Sequence, residues 1–130
     1  MKLLSFRHRG TTSFGAVRDD AVVDLGKRAA SRYADLRAVL AAGALPAVRA
    51  LADASPADLP LSEIEFLPTI PNPDKIICIG VNYAERNAEY KDASDAPRYP
   101  SVFLRTTGSL VGHLQPVQRP PESPQFDYEG

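Results

Sequence analysis

A chain of 130 residues, 44% hydrophobic and 24% charged, has the composition of an ordinary globular protein, long enough for one domain or for a small domain and part of another. The 15 Lys and Arg residues against 16 Asp and Glu leave a net charge of −1, and no basic stripe interleaved with aromatics appears, which argues against a nucleic-acid partner. The opening Met1-Lys2-Leu3-Leu4-Ser5-Phe6-Arg7-His8-Arg9 lacks the apolar core of a signal peptide and no later run reaches membrane-spanning length, so a soluble cytoplasmic protein with no membrane partner is expected.

The first third reads as short β structure. Lys2 to Arg7 and Phe14 to Arg18 are strand candidates around the turn-prone Arg9-Gly10-Thr11-Thr12, and Asp19-Asp20 turns the chain into Ala21-Val22-Val23-Asp24-Leu25. Strands this short need cover, which two helices are expected to supply. Ser31 is the candidate N-cap of the first, with Leu36, Val39 and Leu40 as its apolar stripe and Gly43 as its end. The second starts near Pro46, a good first-turn residue, and carries Val48 and Leu51.

From Ser55 to Pro73 the texture changes. Pro56, Pro60, Pro68, Pro71 and Pro73 interrupt regular structure and leave Ile64-Glu65-Phe66-Leu67 as a possible edge strand. The stretch reads as a boundary between a small β/α domain over residues 1–70 and a second domain over 71–130, which opens on the strand Lys75 to Gly80. Beyond a loop-like segment, Ser94 to Pro100, come the strand Val102-Phe103-Leu104-Arg105, the glycines Gly108 and Gly112, and a Pro-rich link from Pro116 to Pro124. Cys78, the sole cysteine, permits no intrachain disulfide, and between Ile77 and Ile79 it reads as a small buried core residue rather than a nucleophile.

Candidate chemistry gathers after Gly80. In a helix opened by Asn82 and Tyr83, Asn82, Arg86 and Glu89 fall within roughly 60° of one another, on one face, with Glu85 at its border. An amide, a guanidinium and a carboxylate would then project together past the end of a buried strand, a frequent place for ligands. The alternative is a solvated helix with a weak Arg86–Glu89 pair. In an extended terminal segment Phe126 and Tyr128 point one way, and Asp127 and Glu129 the other, about 7 Å apart. Two carboxylates on one side suit a hard divalent cation, or else form an exposed polar face. Arg105 could grip a carboxylate with its bidentate fork, or be an ordinary surface arginine. His8 and His113 are isolated and read as structural, and Gly108 and Gly112 do not make a phosphate loop, because no Gly-Lys-Ser/Thr follows them.

In order, Ile76-Ile77-Cys78-Ile79-Gly80, Asn82-Tyr83, Pro100, Phe103-Leu104-Arg105, Ser109-Leu110-Val111-Gly112, Pro120-Pro121 and Asp127-Tyr128-Glu129-Gly130 together resemble the fumarylacetoacetate hydrolase superfamily. The resemblance implies an α+β, β-rich fold: a small N-terminal β/α domain, then the beginning of a β-roll catalytic domain. It implies a homodimeric enzyme that uses Mg²⁺, Mn²⁺ or Ca²⁺ to act on 2-oxo or 1,3-dicarbonyl acids by C–C hydrolysis, decarboxylation, hydration or isomerisation, in the catabolism of aromatic or related compounds. Glu129 would be the first metal-binding glutamate, with Asp127 in a minor role beside it, and Arg86 and Glu89 would be catalytic. Asn82, Tyr83 and Arg105 would bind substrate.

One position departs from the family pattern. Arg86 stands where many members carry a lid histidine, and a guanidinium that stays protonated is no ordinary general base. The departure shifts the expectation toward isomerase or decarboxylase chemistry, or toward Arg86 holding an anionic substrate. The family's remaining metal ligands have no counterpart in the sequence. The chain is accordingly expected to be the N-terminal part of such an enzyme and inactive by itself, with a non-catalytic binding or dimerisation module as the alternative.

Overall fold

The computed structural model describes residues 1–80 and 98–124. They form a mixed α/β, strand-rich structure with two compact units, Met1–Pro71 together with the segment from Val111, and Asn72–Leu110.

In the first unit β1 (Lys2–His8) and β2 (Thr11–Arg18) pair antiparallel from Lys2↔Val17 to His8↔Thr11. Arg9 and Gly10 join them with φ of 47° and 81°. Both central residues of the tight turn are thus left-handed, the twist that fits an antiparallel hairpin. A second turn, with Asp19 at φ 51°, leads into β3 (Ala21–Asp24). The sheet order is β4-β3-β2-β1-β5, where β4 is Leu59–Pro60 and β5 is Glu65–Phe66. The Pro-rich stretch therefore supplies both edges, where Pro60 leaves no inner ladder bond unmade.

Alternation along the strands divides the core between the two faces of the sheet. Phe14, Ala16 and Val23 pack with Leu36, Val39 and Val48 of the helices on one face; Leu4, Phe6 and Val22 pack with Leu61 and Ile64 on the other. Burying Phe6 and Phe14, each almost fully enclosed, contributes roughly 2–3 kcal/mol apiece. Gly15 lies on the second face, and a Cβ there would stand 2.5 Å from the Val23 carbonyl oxygen. Only a glycine lets β2 and β3 approach so closely.

Three helices cover the first face, one more than the sequence suggests. α1 (Leu25–Ala29) begins where the sequence reading continued the third strand, because the Asp24 carboxylate accepts the Lys27 backbone N–H at 2.9 Å and caps a helix at once. α2 (Leu36–Ala41) is capped by Asp35, which accepts the Ala38 N–H at 2.7 Å, and not by Ser31, which lies in the turn after α1. Its two turns bury Leu36 and Val39 but leave Leu40 exposed, which narrows the expected stripe. Gly43, at φ +62°, follows it, and α3 (Leu45–Asp53) opens on Pro46 and buries Val48.

Candidate functional site

In the second unit β6 (Ile76–Gly80) and β7 (Ser101–Arg105) form an antiparallel ladder running from Ile76↔Arg105 to Gly80↔Ser101. Alternate residues separate its two faces. Ile77, Ile79, Val102 and Leu104 share one face and are 57%, 49%, 64% and 68% exposed. The expectation of a buried strand thus fails for that face among the described residues. Cys78 shares the other face with Phe103 and is only half-buried, where a buried core thiol was expected.

That second face carries the candidate chemistry. A Cβ on Gly80 would lie 3.2 Å from the Phe103 ring, so the bare glycine leaves room for the aromatic edge. The Arg105 guanidinium lies over the same ring, 4.6 Å from its centroid. The ladder separates Arg105 from the Gly80 end of the hairpin by about 13 Å of strand. The phenyl ring lies within that interval, with the cation stacked on it and Gly80 near its edge. Stacking of this kind orients a guanidinium, whose planar fork suits carboxylate recognition. Sequence reasoning singled out Arg105 but missed Phe103 and Gly80 as its support. For Phe103 the signal was present in its i, i+2 spacing from Arg105 on one strand.

Asn82, Tyr83, Arg86, Glu89, Asp127 and Glu129 lie outside the described residues. Among the described residues no group of three or more His, Cys, Asp or Glu side chains is placed to hold a metal ion. His8 stands 3.9 Å from Glu63, and His113 packs edge-on against Phe66 with centroids 5.2 Å apart.

Among the described residues the tightest ionic cluster lies in the N-terminal unit. Arg28 donates to Asp58 and to the backbone carbonyl oxygens of Asp24 and Pro56, while Asp58 also accepts the Asp24 N–H at 2.8 Å. The hydrogen bond from Arg28 holds the Asp58 carboxyl below its usual range against the opposing effect of burial, and Asp58 in turn raises Arg28. All its partners belong to the scaffold, so the cluster joins α1, β3 and the segment before β4.

The family model described as "Fumarylacetoacetate (FAA) hydrolase C-terminal" matches residues 75–130. A mitochondrial oxaloacetate tautomerase of Bos taurus is 38% identical over 81 residues, 62% of this chain and 25% of the relative. This chain belongs to the fumarylacetoacetate hydrolase superfamily.

Other members extend the match. A mitochondrial oxaloacetate tautomerase of Xenopus laevis is 32% identical over 99% of this chain and 42% of its own length. Oxaloacetate tautomerase YisK of Bacillus subtilis is 40% identical over 72 residues, 54% of this chain and 24% of that protein. A crystal structure described as that of an HpcE protein from Mycobacterium smegmatis shares the fold, with a TM-score of 0.66 and 22% identity over 90% of this chain and 40% of that one. The chain thus spans from about a quarter to about two fifths of the lengths of these proteins. No helix among its described residues is long and apolar enough to cross a membrane.

Proposed function

We propose that this chain contributes to the active site of a divalent-metal-dependent enzyme that acts on 2-oxo or 1,3-dicarbonyl acids, with keto–enol isomerisation of a 2-oxo dicarboxylate as the best-supported reaction. The observation that carries the reading is the Gly80–Phe103–Arg105 arrangement inside the residues matched by the family model. The relatives named as oxaloacetate tautomerases support the reaction class. Arg86 in place of a lid histidine agrees with it, since isomerisation needs a proton carrier and an anion clamp rather than a base that activates water. Residues 1–70 form the small N-terminal domain in this reading, and 71 onward begin the catalytic domain. The protein acts in the cytoplasm as a homodimer.

The donor set fits a hard cation. Asp127 and Glu129 offer carboxylate oxygens, the ligand type that Mg²⁺, Mn²⁺ and Ca²⁺ prefer, and no soft ligand is required. Glu129 would hold the ion, with Asp127 adding negative charge beside it. When bound, the ion would supply Lewis-acid polarisation of a substrate carbonyl. Arg105, stacked on Phe103, would bind one substrate carboxylate, and Arg86 would attract the other. Asn82 and Tyr83 would orient the substrate by hydrogen bonds. Glu89 would take a proton from the methylene carbon next to the keto group and deliver it to the keto oxygen. That transfer converts one tautomer into the other with no further reactant.

The test is a chimera in which the matched residues of this chain replace their 72-residue counterpart in the Bacillus subtilis tautomerase, assayed on 2-oxo acids with and without Mg²⁺ or Mn²⁺. Metal-dependent turnover is expected from the chimera. The 130-residue chain by itself should show none, because the matched stretch corresponds to only about a quarter of that relative. Arg86→Ala in the chimera should lower kcat/KM by about tenfold or more, the effect of losing roughly 1.4 kcal/mol of transition-state stabilisation. Unchanged kinetics for both Arg86→Ala and Glu89→Gln would remove that helix from the mechanism.

A further inference from the structure

In the first unit a short turn is fastened to the free edge of the N-terminal sheet. β5 is that edge, paired inward with β1 through Phe6↔Phe66 and Arg7↔Glu65. Against its outer side lies Gly112, which is buried, and a Cβ there would stand 2.0 Å from the Phe66 carbonyl oxygen. Backbone thus meets backbone. The turn closes through the Gln115 N–H, which donates to the Gly112 carbonyl at 3.1 Å. The two ends of the Gln115 side chain then do different things. Its Oε1 accepts the Gly112 N–H at 2.7 Å, and its Nε2 donates to Glu65 Oε1 at 2.8 Å. Arg7 completes the relay with two bonds to the Glu65 carboxylate, at 2.9 and 2.7 Å.

Leu114 shows that these contacts hold the turn against an opposing cost. Its φ of 63° is left-handed and its side chain is 87% exposed, so it accepts backbone strain and gains little burial in return. A leucine in this conformation is strained and persists only where its surroundings impose it. The relay and the packing of His113 on Phe66 are what impose it here.

We propose that Gly112–Gln115 is a latch, which pins the Pro-rich link after it to the edge of the N-terminal sheet and closes that edge, with Gln115 as its bolt and Glu65 as its catch. The latch is separable from the core, because all of its side-chain hydrogen bonds lie on the surface or near it. It stands apart from the proposed chemistry, whose residues it does not contain. Its polarity is defined: the bolt must donate to the catch and accept from Gly112 at the same time. An unlatched β5 would expose unpaired backbone, the feature that lets a sheet edge recruit another strand.

The polarity gives the test, made on the 130-residue chain by amide hydrogen exchange, with the β1–β2 ladder as internal reference. Gln115→Glu keeps the size of the bolt but sets two carboxylates against each other. Protection of the Gly112 amide should fall tenfold or more while the ladder stays protected. The exchanged pair Glu65→Gln with Gln115→Glu restores a donor opposite an acceptor and should return protection to within about threefold of the parent. Gln115→Ala, which removes the bolt without adding charge, should behave like the first variant. Unchanged Gly112 protection in both single variants would overturn the latch, as would a double variant no better than Gln115→Glu. Loss of protection across the ladder in the single variants would also overturn it, since the contacts would then belong to the core.

Discussion

Glu129→Gln, made in the chimera with the Bacillus subtilis tautomerase, is expected to weaken Mn²⁺ binding by roughly a hundredfold or more. The substitution preserves shape and removes one negative charge from the site proposed to hold a doubly charged ion. Loss of a group that merely supports a metal ligand typically costs 10–100-fold, so loss of a direct carboxylate ligand should reach at least the top of that range. Asp127→Asn should cost about tenfold, in keeping with the minor role proposed for it. Isothermal titration with Mn²⁺ reads both directly and does not depend on knowing the substrate. If Glu129→Gln binds as tightly as the parent, the metal assignment fails even if Arg86 proves important. If Arg86→Ala is silent but Glu129→Gln is not, the metal stays and the proposed anion clamp goes.

What was legible in the sequence was mostly local. The first two strands were legible as short segments around the turn-prone Arg9-Gly10-Thr11-Thr12, although the tight turn takes only Arg9 and Gly10 and the second strand begins at Thr11. Gly43 and Pro46 marked a helix end and a helix start, because each fits its position by its own backbone geometry. The miss at α1 came from Asp24, which is at once the last strand residue and the cap of the next helix. Periodicity cannot separate two elements that share a boundary residue. Ser31 lost to Asp35 because a cap is decided by which side chain meets the free N–H groups, and the turn after α1 placed Asp35 there.

The candidate site was legible by residue type more than by arrangement. Arg105 stood out as a cation at a strand end, but it is strand register, which pairs Phe103 with Cys78, that brings Gly80 beside the ring on which Arg105 stacks. Gly112 was read only as a glycine that makes no phosphate loop. Its contact with Phe66 spans 46 positions (112 − 66) and no local pattern announces it. Long-range approach of one backbone to another is set by tertiary packing, and a single sequence records only the small residue that permits it.

Asp58→Ala is expected to destabilise the N-terminal unit by about 2–3 kcal/mol, less than for a fully buried pair because both side chains keep some access to water. That access is 21% for Arg28 and 17% for Asp58. The loss has two parts. Arg28 would keep its carbonyl partners but lose its counter-charge in a poorly hydrated place, and the Asp24 N–H would lose its acceptor just where β3 gives way to α1. For a domain of this size the melting temperature should fall by roughly 10 °C or more. A double-mutant cycle with Arg28→Ala should return a coupling energy of about 1 kcal/mol or more, whereas additive losses would mean that the two residues act separately. The pH dependence fixes the sign. The folded carboxyl of Asp58 lies below its ordinary value of 3.8, so its contribution is complete above that value and is lost as the pH falls through the lower, folded one. The stability gap between the parent and Asp58→Asn should therefore be constant from neutral pH down to about 5 and close under stronger acid. A gap that widened under acid instead would mean that Asp58 is protonated more readily in the folded protein than in the unfolded chain, the opposite of what its bonds to Arg28 and Asp24 require.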